Sequence, residues 1–261
     1  MTLQKSACIE CMYQELPFLE RFQAAAADGF PFVEFWSWED KNLSAVQEAA
    51  ERAGVGIAAF NGDASYSLVN PAHRTAYQEF LHRSAETARQ IGVRSLTIHS
   101  NALGPGGMVA DRCDGLSAAV KLVTLYDGLC ACAKLAEATG IRMNLEPLNT
   151  VTDHPGNFLT SSQTAAELTA MVGSPLLKML FDVYHMQLQE GDLCGHLRAC
   201  GSQLGHVHVA DAPGRHEPGT GEINYHRIFS CLEEIGYRGL IGFELYPKNT
   251  TQEAVRAIHQ Y

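Results

Sequence analysis

At 261 residues, 28.5 kDa and 46% apolar content, the chain suits one (β/α) barrel of about 250 residues better than two ordinary domains. A net charge of −10 argues against a nucleic-acid groove or an anionic membrane surface as partner, and no segment reaches the roughly 18 uncharged residues of a membrane span. The opening Met1-Thr2-Leu3-Gln4-Lys5-Ser6 lacks the apolar core of a signal peptide, so the cytoplasm is the expected compartment.

Ser6 to Met12 reads as a first strand. Leu16 to Asp28 reads as a helix with Leu16, Leu19, Phe22 and Ala26 on one face, closed by Gly29. Phe32-Val33-Glu34-Phe35 is a second strand, followed by a helix from Leu43 to Ala53. Val55 to Phe60 is a third strand, with a long helix from Ala72 to Ile91. Ser95-Leu96-Thr97-Ile98-His99 is a fourth, followed by a Gly-rich loop (Gly104-Pro105-Gly106-Gly107) and a helix from Leu116 to Thr139. Arg142 to Leu145, Leu177 to Phe181, Leu204 to His208 and Leu240 to Phe243 continue the strands. Ser162 to Val172, Leu193 to Cys200, Tyr225 to Ile235 and a tail from about Gln252 continue the helices. About eight βα units follow one another without a linker or composition break, which predicts an α/β fold, a closed (β/α)8 barrel forming one domain over residues 1–261. In such a barrel the active face lies where strands end and helices begin.

Eight cysteines include Cys8-Ile9-Glu10-Cys11. A Cys-x-x-Cys serves redox chemistry or half of a zinc site, but a second paired motif at zinc-finger spacing is missing, so reduced thiols on a buried first strand are expected.

Four strand ends carry the chemistry: Leu145-Glu146-Pro147-Leu148-Asn149, Phe181-Asp182-Val183-Tyr184-His185, Gly205-His206-Val207-His208-Val209 and Gly242-Phe243-Glu244-Leu245. Each is a short apolar run interrupted by one ionisable group, and Glu146, Asp182, His208 and Glu244 stand 36, 26 and 36 residues apart, about one strand–helix unit each. Alone, each acid would read as a helix cap and His208 as a core histidine. Three acids and an imidazole converging on one mouth repel or desolvate one another unless a cation sits among them. The set therefore predicts one divalent metal ion, and its oxygen-rich chemistry favours Mn²⁺ or Mg²⁺, with Co²⁺ also suited. His185, on the loop after strand six, is expected to hydrogen-bond a substrate oxygen. Arg215, in the Pro- and Gly-shaped loop Asp211 to Glu222, suits a substrate carboxylate; its alternative is an ion pair with Glu217 or Asp211. The Gly-rich stretches lack the tight lead into a helix that a phosphate cradle needs. Trp36 and Trp38, after strand two, belong either to the pocket wall or to the core.

Glu146-Pro147-Leu148-Asn149, Phe181-Asp182-Val183-Tyr184-His185-Met186-Gln187 and Glu217-Pro218-Gly219-Thr220-Gly221-Glu222-Ile223-Asn224-Tyr225 resemble the signatures of the hydroxypyruvate isomerase family. That family lies within the xylose isomerase-like TIM barrels, which include the ketose 3-epimerases. The resemblance implies a xylose isomerase-like TIM barrel in which Glu146, Asp182, His208 and Glu244 bind the metal. It implies that Glu146 and Glu244 are the catalytic pair and that His185 and Arg215 contact substrate. Two positions depart from the pattern. Hydroxypyruvate isomerases often carry Gln where His208 stands, whereas the epimerases carry His. The acid expected six residues after Glu146 is Thr152 here, with Asp153 one further on, as a one-residue insertion would produce.

The expected reaction moves a proton between adjacent carbons of a small hydroxy-carbonyl compound through an enediolate, converting hydroxypyruvate to tartronate semialdehyde. Epimerisation at C3 of a ketose is the alternative, using the same carboxylates. A metal-dependent phosphodiesterase or a non-catalytic sugar-binding barrel fits the charge and ligand set less well. Barrels of this type associate, and the helices after Ala72 and Leu116 offer candidate faces for a homo-oligomer.

Overall fold

The computed structural model describes residues 3–261. Eight strands, β1 (Gln4–Cys8), β2 (Phe32–Glu34), β3 (Gly56–Asn61), β4 (Ser95–Ile98), β5 (Arg142–Leu145), β6 (Leu177–Asp182), β7 (Leu204–Val209) and β8 (Leu240–Phe243), pair in parallel and in sequence order. The β1–β8 pairing closes the barrel, as the βα alternation predicts. The outer layer consists of α1 (Arg21–Ala27), α2 (Leu43–Ala53), α3 (Arg74–Gln90), α4 (Ala118–Thr139), α5 (Ser162–Val172), α6 (Val183–Gln189), α7 (Leu193–Cys200), α8 (Tyr225–Glu234) and α9 (Thr251–Ile258). Among the described residues no helix is long and apolar enough to cross a membrane.

Local chemistry sets the helix ends. Asn42, Ser117, Ser161, Asn224 and Thr250 each accept a hydrogen bond from a first-turn amide of the following helix, satisfying a donor that has no intrahelical partner. Gly54 and Gly140 end α2 and α4 in the left-handed conformation, at φ 71° and 74°, where a Cβ would be penalised. Three sequence expectations need correction. The helix expected from Leu16 is a 3₁₀ turn at Phe18–Glu20 followed by a shorter α1. The first strand stops at Cys8, because Cys8 O accepts from the amides of Cys11 (3.2 Å) and Met12 (2.9 Å) and turns the chain. His185 lies on α6 rather than on a loop. Asp182 ends β6 and caps that helix at once, its Oδ1 accepting from the amides of Tyr184 (2.8 Å) and His185 (3.2 Å).

Strand alternation divides the core in two. Val33, Leu145, Phe181, Val207, Ile241 and Phe243 are fully buried on the face that packs against the helices, in the layered packing usual for this architecture. The intervening positions point into the barrel and are unusually polar. Asn144 Nδ2 donates to Ser95 Oγ at 2.6 Å, and Glu34 of β2 reaches across to His206 and His208 of β7. Gly242 of β8 makes room for that crossing, since a Cβ there would lie 2.6 Å from Glu34 Oε1 and 2.7 Å from His208 Cδ2. Gly242→Ala should therefore overpack the barrel interior and lower stability by about 1–3 kcal/mol. Urea denaturation measures the loss, and an unchanged midpoint would show that the interior is less tightly filled than this.

Candidate active site

The residues singled out at the strand ends all reach the C-terminal mouth of the barrel. Glu146 follows β5, Asp182 ends β6, His208 lies within β7 and Glu244 follows β8, all buried. Register carries them there, because Asp182 pairs with His208 and His208 with Gly242 across adjacent strands. Ligand atoms of Glu146, Asp182 and His208 lie within 4.8 Å of one another. His208 Nδ1 is 3.9 Å from Glu146 Oε1 and 3.6 Å from Glu244 Oε2.

Each of these groups is held by one atom and leaves another free. His208 Nε2 lies 2.9 Å from Glu34 Oε2, which makes Nε2 the proton-bearing nitrogen and turns Nδ1 toward the acids. Glu146 Oε2 lies 3.2 Å from His99 Nε2, and His99 is gripped from behind by Asp63, at 2.9 Å through Nδ1 and 2.5 Å through its amide. Asp182 uses Oδ1 on the amides of α6. The atoms left over, Glu146 Oε1, Asp182 Oδ2 and His208 Nδ1, are buried without a hydrogen-bond partner. Burial opposes a charge on His208, but Glu244 and Glu34 outweigh it and raise the imidazole to about 10. Buried polar atoms facing one another without hydrogen bonds are costly, and a divalent cation that displaced the His208 proton would satisfy all three. The donor set of two carboxylates and an imidazole suits such an ion.

Glu244 is held differently. Its Oε1 accepts from Trp36 Nε1 at 2.6 Å, and its Oε2 pairs with Arg215. Arg215 also lies 3.7 Å from Asp182 Oδ2 and over the Tyr184 ring at 5.2 Å. It thus serves the acids of the mouth rather than Glu217 or Asp211. Those two acids shape its loop instead. The Asp211 carboxylate accepts from the amides of Gly219, Gly221 and Ile223, and Glu217 Oε2 from that of Lys248. Asn149 Nδ2 lies 2.6 Å from His185 Nδ1. That contact places the His185 proton on Nε2, on the side of Asp182 Oδ2 at 3.6 Å.

The mouth opens into a cavity of about 650 Å³ walled by Trp36, Trp38, His154, Tyr184 and Tyr246, with the Gly104–Gly107 loop over it. Both tryptophans therefore line the pocket. Asp153 lines it too, so the insertion noted in the sequence still delivers an acid.

A family model described as "Xylose isomerase-like TIM barrel" matches residues 22–261. The chain belongs to the xylose isomerase-like TIM barrel family. Within this family it is 31% identical to the 2-oxo-tetronate isomerase of Cupriavidus necator, over 98% of this chain and 97% of that protein. It is 29% identical to the hydroxypyruvate isomerase of Escherichia coli, over 99% of each. A solved structure described as an AP endonuclease, family 2, from Brucella melitensis superposes with a TM-score of 0.91 at 27% identity, covering 100% of this chain and 99% of that one. Like its relatives, the chain is an isomerase of the aldose–ketose type.

In this member of the family, burial and charge pull the titrations apart. Burial opposes a charge on His99, but Asp63 and Glu146 outweigh it and hold the imidazole near about 10. Burial raises Asp182 to about 7, against the pull of Arg215. Burial also drives His185 well below its ordinary value, and Arg215 reinforces it. His99 is thus a cation beside Glu146 at neutral pH, and His185 a neutral hydrogen-bonding group. The sequence pattern carries no signal for His99, Asp63 or Glu34 as site residues.

Because the folded value of His99 exceeds its unfolded value of about 6.5, its stabilising contribution is complete below that pH. It is lost as pH rises through about 10. A histidine NMR titration of the metal-free protein should find His99 protonated at pH 7 and releasing its proton near about 10, with His185 neutral throughout. Titration of His99 near 6.5 would contradict this network.

Proposed function

We propose that the protein binds one divalent metal ion through Glu146, Asp182, His208 and Glu244 and isomerises hydroxypyruvate to tartronate semialdehyde. The observation that carries the reading is the convergence of three buried atoms without hydrogen bonds, Glu146 Oε1, Asp182 Oδ2 and His208 Nδ1, beside a third acid, Glu244. When bound, Mn²⁺, Mg²⁺ or Co²⁺ supplies Lewis-acid polarisation of the substrate carbonyl, which acidifies the neighbouring C–H. The remaining work falls to side chains.

Glu146 and Glu244 act as the base and acid. One removes the proton from C3, and the other returns a proton to C2 on the planar enediolate. His99, charged and hydrogen-bonded to Glu146 Oε2, keeps that carboxylate ionised; burial works against the ionised form, but the His99 hydrogen bond prevails and lowers its pKa. Trp36 Nε1 fixes the orientation of Glu244. Arg215, already directed at the acids of the mouth, takes the substrate carboxylate. His185, neutral and with Nε2 as its donor, hydrogen-bonds a substrate oxygen.

Hydroxypyruvate and 2-oxo-tetronate share a carboxylate, a C2 carbonyl and a C3 hydroxyl. They differ only in whether C3 carries a hydrogen or a hydroxymethyl group. The same proton transfer serves both, and a cavity of about 650 Å³ leaves room for the longer acid. Epimerisation at C3 of a ketose would use the same two carboxylates, but a buried guanidinium at the reaction centre favours an acid as substrate. A nucleic acid would meet a chain of net charge −10, so the phosphodiesterase reading is not adopted. A small molecule is the partner, and the cytoplasm is the compartment this reaction suits.

Glu146→Gln and Glu244→Gln should each reduce turnover of hydroxypyruvate by at least about 10²–10⁴-fold, the usual worth of a general acid or base, with bound metal largely retained. Steady-state kinetics beside elemental analysis makes the comparison. Full activity in either variant would refute the assignment of the pair.

A further inference from the structure

The Cys-x-x-Cys after β1 is not used by the isomerase chemistry, yet it lies against it. Cys8 is an inward-facing residue at the end of its strand. The turn closed by Cys11 N and Met12 N on Cys8 O brings the second thiol back over the first. Both thiols are buried and free, with Sγ atoms 4.0 Å apart. A disulfide needs about 2.05 Å between sulfurs. Two thiolates on one tetrahedral ion, each at about 2.3 Å, lie about 3.8 Å apart. The observed spacing therefore suits a shared cation and would have to halve for a disulfide. A carboxylate oxygen of Glu244 completes the cluster, with the three ligand atoms within 4.8 Å of one another. Two sulfurs and one carboxylate make a softer donor set than the oxygen-rich mouth, and they select a thiophilic ion.

We propose that Cys8, Cys11 and Glu244 form a second cation site, for a thiophilic divalent ion such as Zn²⁺ or Cd²⁺, whose occupation inhibits the isomerase by engaging the Glu244 carboxylate. The inhibitory half rests on the role given to Glu244 above; the binding half does not. On binding, each thiol loses its proton to solvent, two sulfur–metal bonds and one oxygen–metal bond form, and water takes the fourth position. Of the three ligands only Glu244 lines the cavity, so an ion would enter past Glu244 to reach the buried thiols. Burial raises the Cys8 thiol, so Cys8 keeps its proton until a metal displaces it.

The test is a titration of the reduced, Mn²⁺-loaded protein with Cd²⁺, following the ultraviolet thiolate-to-metal absorption band and the protons released, with Zn²⁺ inhibition measured in parallel. The wild-type protein should gain a band saturating at one Cd²⁺ per chain, with two protons released. Cys8→Ala and Cys11→Ala, checked for folding by circular dichroism, should each weaken Cd²⁺ binding by more than the roughly 10–100-fold that loss of an outer partner costs. Cys11→Ala should keep Mn²⁺-supported turnover and resist Zn²⁺. No band in the wild-type protein, or the same band in both variants, would overturn the site. Saturation of the band with turnover intact would overturn the inhibition. If the protein turned over no hydroxy-carbonyl substrate, the function proposed above would fail while the band still decided the site.

Discussion

Everything at the barrel mouth depends on burying several carboxylates together without leaving them all unpaired. The fold solves this by holding one side of each acid with partners from behind. Asp182 caps α6, Glu146 meets a histidine that Asp63 holds in place, and Glu34 bridges His206 and His208. Glu34 stays ionised because the two histidines overcome the burial that would otherwise protonate it. What remains is a set of free acceptor atoms facing one another. Ordering of this kind costs stability in most proteins, and in the proposed function it makes the place for a cation and a substrate oxygen.

Much of this was legible in the sequence, and for a physical reason. An ionisable residue at the end of an apolar run breaks the pattern, and four such breaks at strand–helix spacing locate Glu146, Asp182, His208 and Glu244. Gly29, Gly54 and Gly140 punctuated the helices correctly, as their positive φ values confirm. The supporting residues gave no comparable signal. Glu34 sits in a strand of three residues, and its partners lie 172 and 174 positions away. His99 reads as the end of a fourth strand until Asp63 is seen behind it. His185 was expected on a loop because nothing in Asp182-Val183-Tyr184 announces a helix that starts directly from the strand. Only the capping geometry of Asp182 reveals it.

The same arrangement accounts for a narrow chemistry with some latitude in substrate. In the proposed reaction, Arg215, the metal site and His185 would receive the carboxylate, carbonyl and hydroxyl that hydroxypyruvate and 2-oxo-tetronate share. Trp36, Trp38 and Tyr246 give the cavity above the mouth an aromatic wall. Glu244 lies beside the thiols of Cys8 and Cys11, so an acid already held by Trp36 and Arg215 is also the one open to competition.

The central claim is that two different carboxylates handle the migrating proton beside a bound metal. Incubating Mn²⁺-loaded protein with hydroxypyruvate in heavy water, and following the products by NMR, tests it most directly. Deuterium at C2 of tartronate semialdehyde, abolished by a chelator and restored by added Mn²⁺, is the predicted result. Product that retains protium at C2, or turnover indifferent to chelation, would contradict it.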